Sequence, residues 1–185
     1  MISSSHHYKG TVLNVASDAQ HAFSKPAKES IALIEGYGVE GDAHAGQYVT
    51  HRFLARRSRL PNLRQLHLTP AELFEDLRTL GHMVRPGELG ENVTTVGLEL
   101  EHLPLGTRLH LGRSAVVELT GLRTPCGLID RFQKRLRSKM LSTKSSGPKF
   151  RCGVFGIVAG GGRVLPNDIV TAEMPLQPWS PLPTM

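Results

Sequence analysis

The sequence predicts a mostly β fold, namely a single β-barrel with a few peripheral helices. Short apolar runs typical of strands outnumber helical patterns along the 185 residues. Glycine occurs 19 times and recurs between these runs, where hairpin turns are expected. A hydrophobic content of 39% is enough for one domain with a core, and the chain has neither an internal repeat nor a second domain pattern.

The strand predictions rest on short apolar or alternating runs bounded by turn residues. In chain order they cover residues 10–15, 31–34, 66–68, 93–96, 107–111, 115–119, 153–159, 163–165 and 168–170. The turn at 112–114 begins with glycine and predicts a hairpin between the strands on either side of it. Three consecutive glycines at 160–162 predict a second hairpin.

A first helix is predicted directly after the strand at residues 66–68. Thr69 is expected to be its N-cap, Pro70 takes the first helical position, and Glu72 completes a capping box. Gly81 is expected to end the helix. The apolar face of this helix is formed by Leu73, Leu77 and Leu80.

A second helix is predicted to begin at Asp130, which acts as its N-cap with Gln133 as the reciprocal partner. Its apolar residues are spaced by four, so they share one face of the helix. These residues are Phe132, Leu136 and Met140.

Composition restricts the class of protein. No segment approaches the ~20 apolar residues of a membrane span, and residues 1–9, which we expect to be flexible, lack the apolar centre of a signal peptide. Two cysteines do not make a disulfide framework, so we expect a cytoplasmic, reducing setting and no membrane partner. Residues 10–173 are assigned to the domain, and 174–185 to a Pro-rich tail that is either a docking arm or disordered.

Two basic segments account for much of the net charge of +6. Five arginines lie between residues 52 and 64, and eight Lys or Arg residues lie between 131 and 151, with no acid in either segment. Each is either a solvated face or a surface that attracts phosphate or an acidic protein. The part at 142–148 is a candidate lid over an anionic ligand. Because few aromatic residues interleave with the charges, a nucleic-acid partner is not expected.

Cys126 is the first candidate for chemistry. It follows a strand pattern, lies in a turn-prone Thr-Pro-Cys-Gly sequence, and has Arg123 three residues before it. A nearby cation favours the thiolate, which is the form that attacks sulfur or binds metal. The alternative is a buried structural cysteine, since free cysteines are among the most buried residues.

The glycine-rich bend at residues 36–42 matches neither a dinucleotide fingerprint nor a P-loop, so nucleotide binding is rejected. Asp42, His44 and His51 suggest a metal site, but they do not form the H-E-x-x-H pattern and no cysteine lies nearby. Zinc sites need three or four ligands in a set geometry, so we do not expect zinc here. Asp42 then forms an Asx-type turn with His44 exposed, unless both serve a ligand.

Four motifs in order resemble those of the MOSC domain family, named for the C-terminal part of molybdenum-cofactor sulfurases. They are Gly-Asp-x-His-Ala-Gly at 41–46, Gly-Glu-Leu-Gly-Glu-Asn at 87–92, Leu-Gly pairs at 105–106 and 111–112, and Arg-Thr-Pro-Cys at 123–126. The resemblance covers residues 10–171, is strongest to the stand-alone bacterial branch, and implies a single MOSC-type β-barrel. Asn167 replaces the glycine of the family's closing Gly-Asp pair.

The resemblance implies that Cys126 is the catalytic residue and either binds molybdenum or carries sulfur. It implies a pocket for an anionic molybdenum-pterin cofactor, in which Asp42 and His44 face the ligand or brace their loop. Glu91 and Asn92 would stand in the pocket wall. The implied cofactor-binding residues are Asp42, His44, Glu91, Asn92, Arg123 and Thr124.

Two functions of different classes follow from the resemblance. The first is an oxidoreductase that acts on N-hydroxylated compounds and receives electrons from a partner protein. The second is a non-catalytic sulfur carrier or cofactor-delivery module, loaded as a persulfide by a cysteine desulfurase. Pyridoxal phosphate is associated with the family through a separate desulfurase domain, for which this chain has no room, so we do not expect it to be bound.

Cys152 is the second thiol, and Arg151 beside it could favour its thiolate as well. Local charge therefore does not choose between the two cysteines. The motif match selects Cys126, and a strand-end loop exposes a side chain better than a strand that enters the core. Cys152 is expected to be at most a neighbour able to form a disulfide with Cys126.

Overall fold

The computed structural model describes residues 8–49, 60–142 and 147–185. The strands are β1 (Lys9–Ala16), β2 (Ala27–Lys28), β3 (Ile31–Ile34), β4 (Gly38–Val39), β5 (Leu66–Pro70), β6 (Val93–Val96), β7 (Arg108–Leu111), β8 (Ala115–Leu122), β9 (Val154–Gly160), β10 (Gly162–Val164) and β11 (Ile169–Glu173). The helices are α1 (Glu72–Thr79), α2 (Gly127–Phe132) and α3 (Leu136–Lys139), and a 3-10 turn covers Leu100–His102.

Seven strands close into a barrel in the order β11-β7-β8-β9-β5-β6-β1, because β1 also pairs with β11. β5 and β6 are parallel, and the other barrel pairs are antiparallel. β2 extends the sheet from β1, and a small separate sheet has the order β10-β3-β4. The predicted mostly β barrel with a few helices is confirmed for the described residues.

The barrel core is filled by alternate residues of each strand, as the two-residue period of a strand requires. In β8, Ala115, Val117 and Leu119 are buried, whereas Val116 and Glu118 between them are partly exposed. Side chains from β1, β5, β6, β7, β9 and β11 complete the same cluster.

A second apolar cluster lies under the helices, outside the barrel core. α1 contributes Leu73 and Leu77, and α2 contributes Ile129. Cys152 is fully buried in this cluster. The helices therefore pack over the segment that contains Cys152.

The N-terminus of α1 differs from the prediction. Thr69 and Pro70 belong to β5, Ala71 is the N-cap, and no side chain caps the helix. Pairing of Thr69 with Thr94 of the parallel strand β6 keeps the chain extended for two more residues, so sheet pairing overrides the capping pattern. Leu80 is exposed, but Gly81 does end the helix, with a φ of +85°.

The second predicted helix is two short helices, and Asp130 is not its N-cap. α2 begins at Gly127, with Cys126 as its N-cap, and Asp130 lies inside it. The carboxylate of Asp130 accepts a hydrogen bond from the backbone N–H of Arg137 (2.9 Å), and so supports the start of α3. The predicted common face nevertheless persists, because Leu136 and Met140 pack in the same cluster as Phe132.

The glycines at 160–162 do not form the predicted hairpin turn. β10 leaves β9 and pairs with β3 in the small sheet, through Val164 with Ile31 and Gly162 with Leu33. The hairpin predicted at residues 112–114 is confirmed, because β7 and β8 are antiparallel neighbours. Both segments contain glycine, so local composition does not distinguish them, and the hairpin is identified only by the strand pairing.

Several predictions lie outside the described residues. They are the flexible N-terminus up to residue 7, the arginines at 52, 56, 57 and 59, His51, and residues 143–146 of the predicted lid. Among the described residues, no helix is both long enough and apolar enough to cross a membrane.

Leu119→Ala is expected to lower the free energy of unfolding by about 2 to 5 kcal/mol, since it leaves a cavity at a fully packed barrel position. Leu13→Ala is the matched control, because Leu13 is a strand residue that is 47% exposed. It is expected to change the free energy by less than about 0.5 kcal/mol. Urea denaturation measures both variants, and equal losses would contradict the assigned core.

Candidate functional site

Cys126 lies where β8 passes into α2. The backbone N–H of Arg123 donates to the carbonyl of Gly153 (3.0 Å), so the chain stays paired with the residue preceding β9 just beyond the end of β8. Three residues later, Cys126 is exposed and reduced at the N-cap of α2. The tertiary structure thus presents this thiol to solvent on a segment anchored at its start.

An open groove of about 300 Å³ lies beside the segment that leads to Cys126, although Cys126 itself is not one of its lining residues. Its lining residues are Thr124, Pro125, Asp130, Arg137, Ser138, Leu141 and Phe150. The side chain of Arg137 donates from Nε to the carbonyl of Pro125 (3.1 Å), which ties α3 to the residue directly before the cysteine. The groove is therefore partly apolar, with a guanidinium at its side.

Arg123 is partly buried and faces inward rather than toward the groove. Its Nη1 donates to the carbonyl of Leu89 at 2.6 Å, in the segment that contains the second matched motif. Its positive charge acts on Lys25, His67, Glu91 and Cys152. Arg123 thus connects the cysteine segment to a group of buried polar residues.

Asp42 is the centre of that polar group. Its side chain is buried, and Oδ2 lies 2.7 Å from the ammonium of Lys25 and accepts from Asn92 Nδ2 at 3.0 Å. Oδ1 accepts from the backbone N–H of His44 at 2.9 Å. Burial alone raises the pKa of Asp42, but the hydrogen bonds from His44 and the charge of Lys25 outweigh it and hold the pKa well below its usual range. Asp42 is therefore a carboxylate.

Asn92 connects three parts of the chain. Its Nδ2 donates to the carbonyl of Ala16 (3.1 Å) as well as to Asp42, and its Oδ1 accepts from the backbone N–H of His67 (3.2 Å). A side-chain amide is suited to this position because it donates and accepts at once. With these bonds made, the Asn92 side chain braces the end of the barrel.

Glu91 is fully buried and only half satisfied. Oε1 accepts from the backbone N–H of Gly87 and from Thr94 Oγ1, whereas Oε2 has no hydrogen-bond partner among the described residues. Burial raises the pKa of this carboxyl, and the bond from Gly87 and the charge of Arg123 offset that only in part. Burying an oxygen without a hydrogen-bond partner costs free energy, so packing alone does not explain a glutamate at position 91.

His67 and Cys152 are buried beside this group. Burial holds the pKa of His67 well below its usual range, so the imidazole is neutral, and its Nε2 lies 3.0 Å from the carbonyl of Cys152. Burial raises the pKa of the Cys152 thiol to about 11 despite the charge of Arg123. The sequence hypothesis that Arg151 could favour a Cys152 thiolate is wrong, because burial wins and Arg151 pairs with Asp76.

His44 differs from Asp42, Glu91 and Asn92 because its ring is half exposed. Its Nδ1 lies 3.3 Å from Asp42 Oδ1, and its ring meets that of His21 edge to face, with centroids 5.3 Å apart. Among the described residues, no group of three or more His, Cys, Asp or Glu side chains could hold a metal ion. A metal at Cys126 would need its other ligands from a cofactor.

Sequence reasoning missed Lys25 and His67. The sequence predicts no strand, helix or motif at Lys25, and its partner Asp42 is 17 positions away. His67 was read as part of a brief strand, and no motif marks it. Neither residue carries a local signal, because each is defined by contacts that form only when distant segments meet.

Comparisons with known proteins bear on the whole arrangement. The family model of the MOSC domain matches residues 55–171. Among solved structures, the YUAD protein from Bacillus subtilis is similar at 19% identity and a TM-score of 0.75, over 91% of this chain and 97% of that one. YiiM from Escherichia coli is similar at 18% identity and a TM-score of 0.61, over 93% of this chain and 73% of that one.

YiiM from Geobacillus stearothermophilus gives the same TM-score of 0.61 at 18% identity, over 88% of this chain and 73% of that one. At such identities the structural similarity shows the fold alone. No curated protein matches the sequence significantly.

We expect the free energy of unfolding to fall when either partner of the Lys25–Asp42 pair is replaced. It should fall further when Asp42 is replaced. Asp42→Asn leaves a buried ammonium whose only ion-pair partner among the described residues is gone, which costs about 3 to 5 kcal/mol. Lys25→Met should cost less, because Asp42 keeps its donors on His44 and Asn92. The double variant should recover part of the loss in urea denaturation, and strict additivity would contradict the pairing.

The stabilisation from Asp42 is expected to fade in acid. Its folded-state pKa lies below the unfolded value of about 3.9, so the unfolded chain takes up the proton first as the pH falls. The stability difference between the parent and Asp42→Asn should therefore be full above that value and shrink below it. Urea unfolding at a series of pH values measures this difference, and two parallel curves would refute it.

Proposed function

The chain belongs to the MOSC domain family, which is associated with binding of the molybdenum cofactor, and on that premise we propose that Cys126 binds molybdenum in a pterin-bound cofactor. The protein is then a small oxidoreductase that acts on N-hydroxylated compounds. One observation carries the proposal. Cys126 is an exposed thiol on an anchored strand-to-helix junction whose preceding residues Thr124 and Pro125 line an open groove.

The residues around Cys126 fit such a cofactor. A thiolate is a soft ligand of the kind that suits a metal with sulfur ligands. The described residues offer no competing metal cluster, so a metal at Cys126 depends on ligands carried by the cofactor itself. When bound, the cofactor supplies the metal and the redox chemistry.

The buried polar residues have a positioning role in this proposal. The side chains of Asp42 and Asn92 are hydrogen-bonded to each other and to the backbone, so they hold the loops in place rather than contact the ligand. The half-exposed ring of His44 remains available to a ligand, whereas the unpaired oxygen of Glu91 is fully buried. Arg123 holds the cysteine segment to the interior through its bond to Leu89, and Thr124 lines the groove.

The surface formed by α2, α3 and the described residues at 140–142 and 147–151, which we call the basic face, supports recognition of an anion. Its exposed cations include Arg131, Lys134, Arg135 and Lys139. They lie on or between these two helices, and Arg137 of α3 lines the groove. Such a surface favours the phosphate of a pterin cofactor or an acidic electron-transfer protein.

The alternative function is a sulfur carrier or cofactor-delivery module in which Cys126 holds a persulfide. The openness of the site favours it, because small-molecule active sites usually enclose most of the ligand. Leu128, two residues after Cys126, is also exposed, so a partner protein can approach the thiol. A cysteine desulfurase would be the sulfur donor.

Cys126→Ala is expected to abolish retention of molybdenum and pterin, or formation of a persulfide, with little change in stability. Cys152→Ala should keep most of either property, because its thiol is buried and protonated. Metal analysis and mass spectrometry of protein from a molybdenum-replete host measure these outcomes. Retained molybdenum supports the oxidoreductase, whereas a persulfide without metal supports the carrier. If Cys152→Ala abolished these properties and Cys126→Ala kept them, both the oxidoreductase and the carrier proposals would be refuted.

Lys134→Glu combined with Arg135→Glu is expected to weaken retention of the cofactor or binding of an acidic partner protein, more strongly at low salt. Arg163→Glu on β10 changes an exposed charge in the other sheet and serves as the control. Cofactor content and a salt series of partner binding measure the effect. Equal effects of both charge changes would contradict a specific role for the basic face, and loss of tight DNA binding would indicate a nucleic-acid partner.

A further inference from the structure

Residues 182–185, which we call the strap, lie along β8 next to the cysteine segment. The backbone N–H of Leu122 donates to the carbonyl of Pro183 (2.7 Å), and the N–H of Met185 donates to the carbonyl of Leu122 (2.9 Å). The N–H of Thr124 donates to the carbonyl of Met185 (3.0 Å). The strap thus pairs in parallel with Leu122, at the bridge to Thr184, and reaches the residue two positions before Cys126.

The strap takes an edge that the barrel leaves open. β7 pairs with β8 only as far as Glu118, opposite Arg108. Gly106 and Thr107 continue that side with hydrogen bonds to Leu119, and beyond Leu119 the end of β8 has β9 on one side and the strap on the other. Leu122 is bonded to the strap, and Arg123 is bonded to Gly153, so the cysteine segment starts between two anchored neighbours.

Two packing features hold the strap in place. Leu182 is buried in the barrel core cluster, so the strap begins at an apolar anchor. Gly121 lies under Met185, and a Cβ at residue 121 would come within 2.3 Å of Met185 Sδ and 2.8 Å of the carbonyl oxygen of Pro183. The flexible Met185 side chain can rotate away from such a Cβ, but the Pro183 carbonyl belongs to the backbone, so a side chain at 121 requires the strap to shift.

We propose that the strap is a positioning element for Cys126, which completes the sheet at Leu122 and Thr124 and so sets the place and accessibility of the thiol. This inference rests on the proposed use of Cys126 as the reactive group. The strap touches none of the buried residues around Asp42 in the contacts above. Its influence therefore runs through the backbone of residues 122–124 and not through the polar group.

Two variants release the strap by different routes. A chain that ends at Leu182 removes its hydrogen bonds and keeps the apolar anchor, whereas Gly121→Ala keeps every tail residue and displaces the strap backbone at Pro183. Amide exchange at Leu122 and Thr124 should quicken by roughly tenfold or more in both, since each amide loses a hydrogen bond. Alkylation of Cys126 by iodoacetamide, followed by mass spectrometry of its peptide, should change several-fold in both.

Two controls separate positioning from general destabilisation. Leu176→Ala alters the same tail at a side chain that is 96% exposed, and it should change neither readout. Gly156→Ala introduces a similar clash, 2.5 Å from Val117 Cγ1, on the β9 side of β8 and away from the strap. It should lower the melting temperature without changing the alkylation of Cys126.

The proposal is overturned if amide exchange at Leu122 and Thr124 quickens while alkylation of Cys126 stays at the parent rate, because the strap would then only complete the sheet. Unchanged amide exchange in both variants would also overturn it. Alkylation is measured on protein without cofactor, so the test is independent of the proposed function. A protein that retains neither molybdenum nor persulfide, but whose Cys126 responds to both variants, refutes the proposed function and supports the strap.

Discussion

A buried carboxylate needs a full set of partners, and meeting that need for Asp42 brings together the parts of the chain that form the candidate site. Lys25 approaches from the segment before β2, and Asn92 approaches from the start of β6 while it also holds the end of β1. The two charges would each be costly to bury alone. The loop at 41–46 is therefore held by the contacts of Asp42, and His44 lies at the surface with its Nδ1 toward Asp42.

The same physical rule separates the two cysteines. Both have an arginine nearby in sequence, but Cys152 is enclosed by the apolar cluster under the helices, where a charged sulfur would lose its hydration. Cys126 lies outside that cluster, beyond the end of β8 and at the N-cap of α2. Burial therefore distinguishes the exposed thiol of Cys126 from the buried thiol of Cys152. The side chain of Arg123 is directed toward the interior, where it donates to the carbonyl of Leu89.

The barrel also anchors the segment before Cys126. β7 and the two residues before it pair with β8 as far as Leu119, and the C-terminal residues take that side of the strand at Leu122. Hydrogen-bonded neighbours on both sides leave little freedom to residues 121–124, and the following helix begins at once. A catalytic or carrier thiol benefits from such an arrangement, because a group that is already in place loses less entropy when its ligand binds.

Local sequence patterns determined the elements whose energetics are local. Alternation of apolar residues located β1, β8 and β9, Gly81 ended α1, and the hairpin at 112–114 formed as expected. The motif order also pointed to the family and to the segments of the candidate site. Patterns failed where a distant strand competes for the same backbone, as at Thr69, which pairs with β6 instead of capping α1, and at Gly162, which pairs with β3.

Only the tertiary structure decided which side chains meet. No local signal joins Lys25 to Asp42, buries His67 beside Cys152, leaves one oxygen of Glu91 without a partner, or lays Met185 over Gly121. These contacts join residues far apart in sequence, and their energies exist only after the barrel closes and excludes water. The sequence by itself determined where strands and turns can form, whereas burial and long-range pairing decided which thiol is exposed and which charges are held together.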